Sequence, residues 1–195
     1  MIDKVLKNLV YLFYPKNICA FREKDKYFIS EEYRRLNQII TDFDTDYGKS
    51  FRANILKEFE NDKTLKDFID FSLFNIGDRC MTFNMNVIEN RQLYTISLFV
   101  SVIVPYYVIN VQKNIIELFF SESEISQFER KNTETRKINE LVEDIETVIE
   151  DKILYKKFPN KLLNSIVDDL SFQDSEFGYF TMFNAFFNNV RIYEN

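Results

Sequence analysis

A chain of 195 residues with 46% apolar and 29% charged positions can bury one sizeable core, and three Gly and three Pro exclude a flexible or proline-rich linker. Histidine is absent, which removes the commonest general base at neutral pH, the commonest metal ligand and the usual partner of a Ser or Cys nucleophile. The balance of 31 acidic against 25 basic residues gives a net charge of −6, which repels a phosphate backbone, speaks against nucleic-acid binding and favours a basic protein partner.

Ile2, Val5, Leu6, Leu9, Val10 and Phe13 recur at helical spacing and predict an amphipathic helix ending near Tyr14, where Pro15 disfavours continuation. Its polar face is too poor in basic residues for a lipid-binding helix, and Asp3, Lys4 and Lys7 break any signal-peptide run. Residues 20–29 read as a short strand or an irregular crossing. Ser30 caps a second helix, with Glu31 and Glu32 in its first turn and an apolar stripe of Tyr33, Leu36, Ile39, Ile40 and Phe43. Gly48 separates it from a third helical pattern carrying Phe51, Ile55, Leu56 and Phe59. Thr64 opens a further helical candidate with Leu65, Phe68 and Ile69 on one side, and Gly77-Asp78 turns the chain into its centre.

That centre is 79–112. Met81, Phe83, Met85 and Val87 alternate with polar residues, and after a short polar connection Tyr94, Ile96, Leu98, Val100, Val102 and Val104 resume the two-residue period. So short a connection predicts an antiparallel hairpin. Pro105 interrupts the ladder, and 106–111 forms a third strand. Leu93, Phe99 and Ile103 lie on the more polar face, so the middle strand is expected to be partly covered on both sides. Strand periodicity and the polar residues within 93–109 argue against a membrane span.

Residues 114–120 fit a strand or a helix start. Ser121 or Ser123 caps a long helix reaching about Lys152, clearest at Ile138, Leu141, Val142, Ile145, Val148 and Ile149. Pro159 ends this region, and Leu162, Leu163, Ile166 and Val167 predict a short helix. The aromatic tail from Phe172 to Phe187 follows neither period and is expected to complete the core. The predicted fold is α+β: a small antiparallel sheet at about 79–112 covered by several helices, with 1–195 as a single domain.

Chemistry is marked mainly by exclusion. Glycines at 48, 77 and 178 cannot build a phosphate-cradling loop, and no nucleophile elbow, zinc spacing or kinase signature occurs. Cys19 and Cys80 are isolated thiols, expected to be buried in a reducing cytoplasm. Asp42, Asp44 and Asp46 begin like a calcium loop. The required Gly and bidentate Glu are replaced by Tyr47 and Ala53, so no metal or cofactor is expected and the segment reads as an acidic helix-to-helix turn. Glu143, Asp144, Glu146 and Glu150 make part of the long helix strongly negative, either a solvated face or a docking surface.

An acidic domain without a catalytic signature resembles, in general type, the immunity proteins of bacterial toxin–immunity systems. Those proteins neutralise a cognate toxin by covering its active site, often with an acidic face against a basic nuclease. The resemblance implies a non-catalytic chain, a basic toxin domain as partner, and contacts through Asp42, Asp44, Asp46, Glu143, Asp144, Glu146 and Glu150. Two alternatives stay open: a small-ligand protein or enzyme, marked by a pocket at Tyr94, Tyr106 or Tyr107 with converging acids, and a structural subunit of a phage or mobile element, marked by a stable homo-oligomer.

Overall fold

The computed structural model describes residues 2–62, 65–90, 92–114, 121, 123–124, 137–173 and 175–189. The α+β expectation holds. The sheet runs in sequence order: β1 (Ile69–Asp70), β2 (Cys80–Glu89), β3 (Gln92–Ser101), β4 (Tyr106–Asn114) and β5 (Lys156–Lys157). The first four strands pair antiparallel, and β5 joins β4 in parallel, so the sheet is mixed at one edge. Its centre is the predicted hairpin, with Met81 opposite Val100, Phe83 opposite Leu98 and Met85 opposite Ile96. The ladder breaks at Pro105, whose carbonyl instead accepts the Lys156 N–H at 3.0 Å and starts β5.

Among the described residues the helices with complete bounds are α1 (Ile2–Val10), α2 (Lys24–Ile29), α3 (Glu31–Phe43), α4 (Asp46–Glu60), α5 (Ile138–Val148), α6 (Asn160–Leu163) and α7 (Met182–Phe186). Ser30 caps α3 as expected, its hydroxyl accepting the Tyr33 N–H at 3.2 Å. Beyond α5 the coil widens into a π-turn, Ile149–Ile153. The expected first half of the long helix falls mostly outside the described residues.

Three expectations need correction. The stretch 20–29 is not a strand: its second half is α2, which buries Tyr27 so that the phenol donates to the Ser171 carbonyl at 2.9 Å. Gly48 does not separate two helices but lies inside the first turn of α4, where an added Cβ would fall on the Phe43 carbonyl. The helix expected from Thr64, itself outside the described residues, is a turn at 65–67 followed by β1. Leu65 and Phe68 still reach the core, with Phe68 stacked on Phe59 at 4.7 Å.

Side-chain alternation divides the sheet into two faces. Phe83 meets Phe59 of α4 at 6.5 Å between centroids, and on the same face Tyr107 reaches Glu150 beyond α5. Phe99, on the other face, takes Phe183 of α7 edge-on at 5.5 Å. The middle strand is thus covered from both sides, as the apolar residues on its polar face imply. The aromatic tail completes this core: Phe180, Phe183, Phe186 and Phe187 are buried, and Thr181 and Asn184 form a reciprocal capping box at the start of α7.

Arg79 fastens the tail to the sheet. Its guanidinium is wholly buried, donating to the Gly77 carbonyl at 2.8 Å, twice to the Asn184 carbonyl and to Asn189 Oδ1 at 2.8 Å. It also lies over the Phe172 ring, 4.6 Å from the centroid. Among the described residues, no helix is long and apolar enough to cross a membrane.

Candidate partner-binding surface

The acids singled out by the sequence fall into two places. Asp42 is in the last turn of α3, Asp44 is its C-cap and Asp46 opens α4, and all three are exposed. The carboxylate of Asp46 suits a helix N-terminus and pairs with Lys49 at 3.4 Å, while Asp42 accepts from Gln38 Nε2 at 2.7 Å. The alternating acids thus serve the end of one helix and the beginning of the next.

On α5 and the π-turn the acids are partly committed within the chain. Glu146 pairs with Lys157 on β5, and Glu150 accepts the Tyr107 hydroxyl at 2.8 Å. Glu143 is exposed and Asp144 half-buried. Burial raises the Tyr107 phenol above its ordinary range, and the Glu150 hydrogen bond with the Glu146 and Glu150 charges raises it further. A phenol held so firmly in its neutral form braces the π-turn against β4 and is a poor base.

A cleft of about 430 Å³ lies beside the α3–α4 turn. Tyr33, Asn37, Ile40, Thr41 and Asp44 recur along one side of α3 and line it, joined by Tyr27 and Phe28 of α2. The rest of its lining comes from 74–77 and from Phe172-Gln173. Tyr27, Phe28 and Tyr33 form a mutual aromatic cluster with centroids 4.9–5.9 Å apart. Gly77 adopts φ 88°, and Gln173, at φ 51°, donates from Nε2 to the Ile76 carbonyl at 2.7 Å, which fixes two of the loops in the lining. A second cleft, about 340 Å³, lies between α4 and the π-turn and carries Lys57, Lys152 and Glu58. Neither is lined by Tyr94, Tyr106 or Tyr107.

Along the chain, the first cleft continues into an apolar row that sequence reading missed. Ile69, Phe71 and Leu73 alternate with Asp70 and Ser72 along β1, the edge strand of the sheet among the described residues, and the three residues after it. The inward pair is fixed: Asp70 binds Arg52 at 2.7 Å, and Ser72 Oγ accepts the Thr82 N–H at 3.1 Å. The apolar three are left outside at 59%, 50% and 48% exposure, and Ile76, a cleft residue, follows at 59%. Large apolar side chains exposed beside an edge strand present a contact row.

Compared with known proteins, the chain matches no family model, no curated sequence and no solved structure.

Proposed function

We propose that this chain is a non-catalytic protein-binding domain of the immunity type, which neutralises a bacterial toxin by occluding it. The observation that carries this reading is the exposed row Ile69, Phe71, Leu73 and Ile76, which runs into a cleft whose one charged lining residue is Asp44. Apolar anchors beside a charged rim are the usual make-up of an interface centre. The −6 net charge favours a basic partner and fast, salt-dependent association with it.

The reading places the contact on the α3–α4 turn and the β1 edge, with the α5 acids as a flanking surface. Its test is capture with tagged protein from native cells at low and high salt, followed by assay of the captured protein. A stoichiometric, salt-sensitive basic partner whose toxicity is relieved on co-expression supports the reading. Recovery of the bait alone at low salt contradicts it.

A small-ligand or enzymatic role has one observation in its favour, the convergence of Glu146 and Glu150 on Tyr107. Thermal-shift screening of small anions, sugars and amines tests it. A stabilising ligand lost in Glu150→Gln would support that reading over the one proposed.

A further inference from the structure

We propose that the cleft on α3 is the receptor for a basic side chain, lysine or arginine, carried by an extended segment of the partner. This rests on the protein-binding reading and goes further, by naming the anchor and its seat.

The lining has aromatic and amide groups but a single charge, that of Asp44. A neutral anchor covering this cleft would strip water from Asp44 without giving it a counter-charge, and an acidic one would be repelled by it. A basic one meets both needs: its charge pairs with Asp44, and its apolar stem lies on the rings. Two of those rings already hold a guanidinium, Phe74 with Arg52 at 5.2 Å and Phe172 with Arg79 at 4.6 Å. Among the described residues no cation lies over Phe28 or Tyr33, and these two rings, backed by the buried Tyr27, are open to a visitor. Arg79 itself sits behind Phe172 with its donors turned to backbone carbonyls and Asn189, outside the lining.

Length argues for a peptide over a lone amine. From Tyr33 to Asp44 the helix rises about 16 Å, the length of roughly five extended residues. Among the described residues β1 is an edge strand with no further strand on its outer side, where such a segment can add backbone pairing.

The probe is N-acetyl-argininamide, followed through amide NMR shifts, with neutral N-acetyl-norleucinamide as the control. The expected result is saturable shifts at Asn37, Thr41, Asp44 and Gly77 with the arginine probe alone. Asp44→Asn should weaken binding about three- to fivefold, as for a solvent-exposed ion pair, and Tyr33→Leu about threefold. Equal shifts from the norleucine probe, no shifts from the arginine probe, or an unchanged affinity in folded Asp44→Asn would overturn the assignment. The two readings also fail separately. Capture of a toxin equally by wild type and by the Asp44→Asn, Tyr33→Leu double variant removes the cleft and leaves the partner. Arginine binding without any recoverable partner does the reverse.

Discussion

Arg79 and Asn184 lie 105 residues apart, yet one guanidinium gives two hydrogen bonds to one carbonyl, from Nε at 3.1 Å and Nη2 at 2.7 Å. With Gly77 and Asn189 also engaged, this single side chain ties the tail to the entry of β2. Arg79→Leu strands the Asn184 and Gly77 carbonyls away from water, and each buried acceptor so orphaned costs about 1–3 kcal/mol. Urea unfolding should show a loss of about 3 kcal/mol or more. A loss below about 1 kcal/mol would mean that the tail is held by its aromatic packing alone.

Gly48→Ala separates propensity from packing. In an ordinary helix position alanine is favoured over glycine by about 1 kcal/mol. Here the new methyl meets the Phe43 carbonyl, which also accepts from Arg52 Nη1 at 2.9 Å, so the backbone cannot yield without losing that bond. The expected outcome is a lower melting temperature, by about 1–3 kcal/mol of stability.

Alkaline pH should unfold the protein cooperatively. Burial pushes the Tyr14 phenol up to about 12 against the pull of Arg79, and pushes the Cys80 thiol up to about 12 despite its contact with Thr82. Tyr27 and Tyr107 are raised as well, both chiefly by burial. In each case the folded state keeps a proton that the unfolded chain releases. The stability is fully present below the unfolded values and falls as pH rises through the folded ones. Each such group costs about 1.4 kcal/mol per pH unit in that window. Urea unfolding at about pH 8 and about pH 11 measures the difference, and Tyr107→Phe should reduce the slope.

The exposed row can be changed without touching the core. Ile69→Lys and Ile76→Lys should alter stability by no more than about 0.5 kcal/mol, since both side chains are mostly in solvent. They should weaken partner binding by more than about tenfold, mainly through faster dissociation. Glu143→Lys with Glu146→Lys, by contrast, should act mainly on association rate and salt dependence.

The central hairpin, α3 and its cap, α4 and α5 are legible in the sequence because one period dominates each. The β1 edge is not. Leu65, Phe68 and Ile69 satisfy a helical spacing, while Ile69, Phe71 and Leu73 satisfy a strand spacing across the same residues. Pairing with Asn84 and Phe83 of β2 decides between them, and that contact is not local. The tail is opaque for a similar reason: its phenylalanines pack on the sheet, α1 and one another, so no single face sets their spacing. Its capping box is visible as Thr181-Met182-Phe183-Asn184 once Asn is allowed in the place of Glu or Gln. Of the candidate site, the acids are readable and the cleft is not, because Phe28, Tyr33, Ile76 and Phe172 come together only in the fold.

Hydrogen–deuterium exchange on the purified complex with the captured partner tests the central claim most directly. The account predicts protection at 28–44 and 69–77, with little change on α5. Protection confined to α5, with those two segments exchanging as in the free protein, would contradict it.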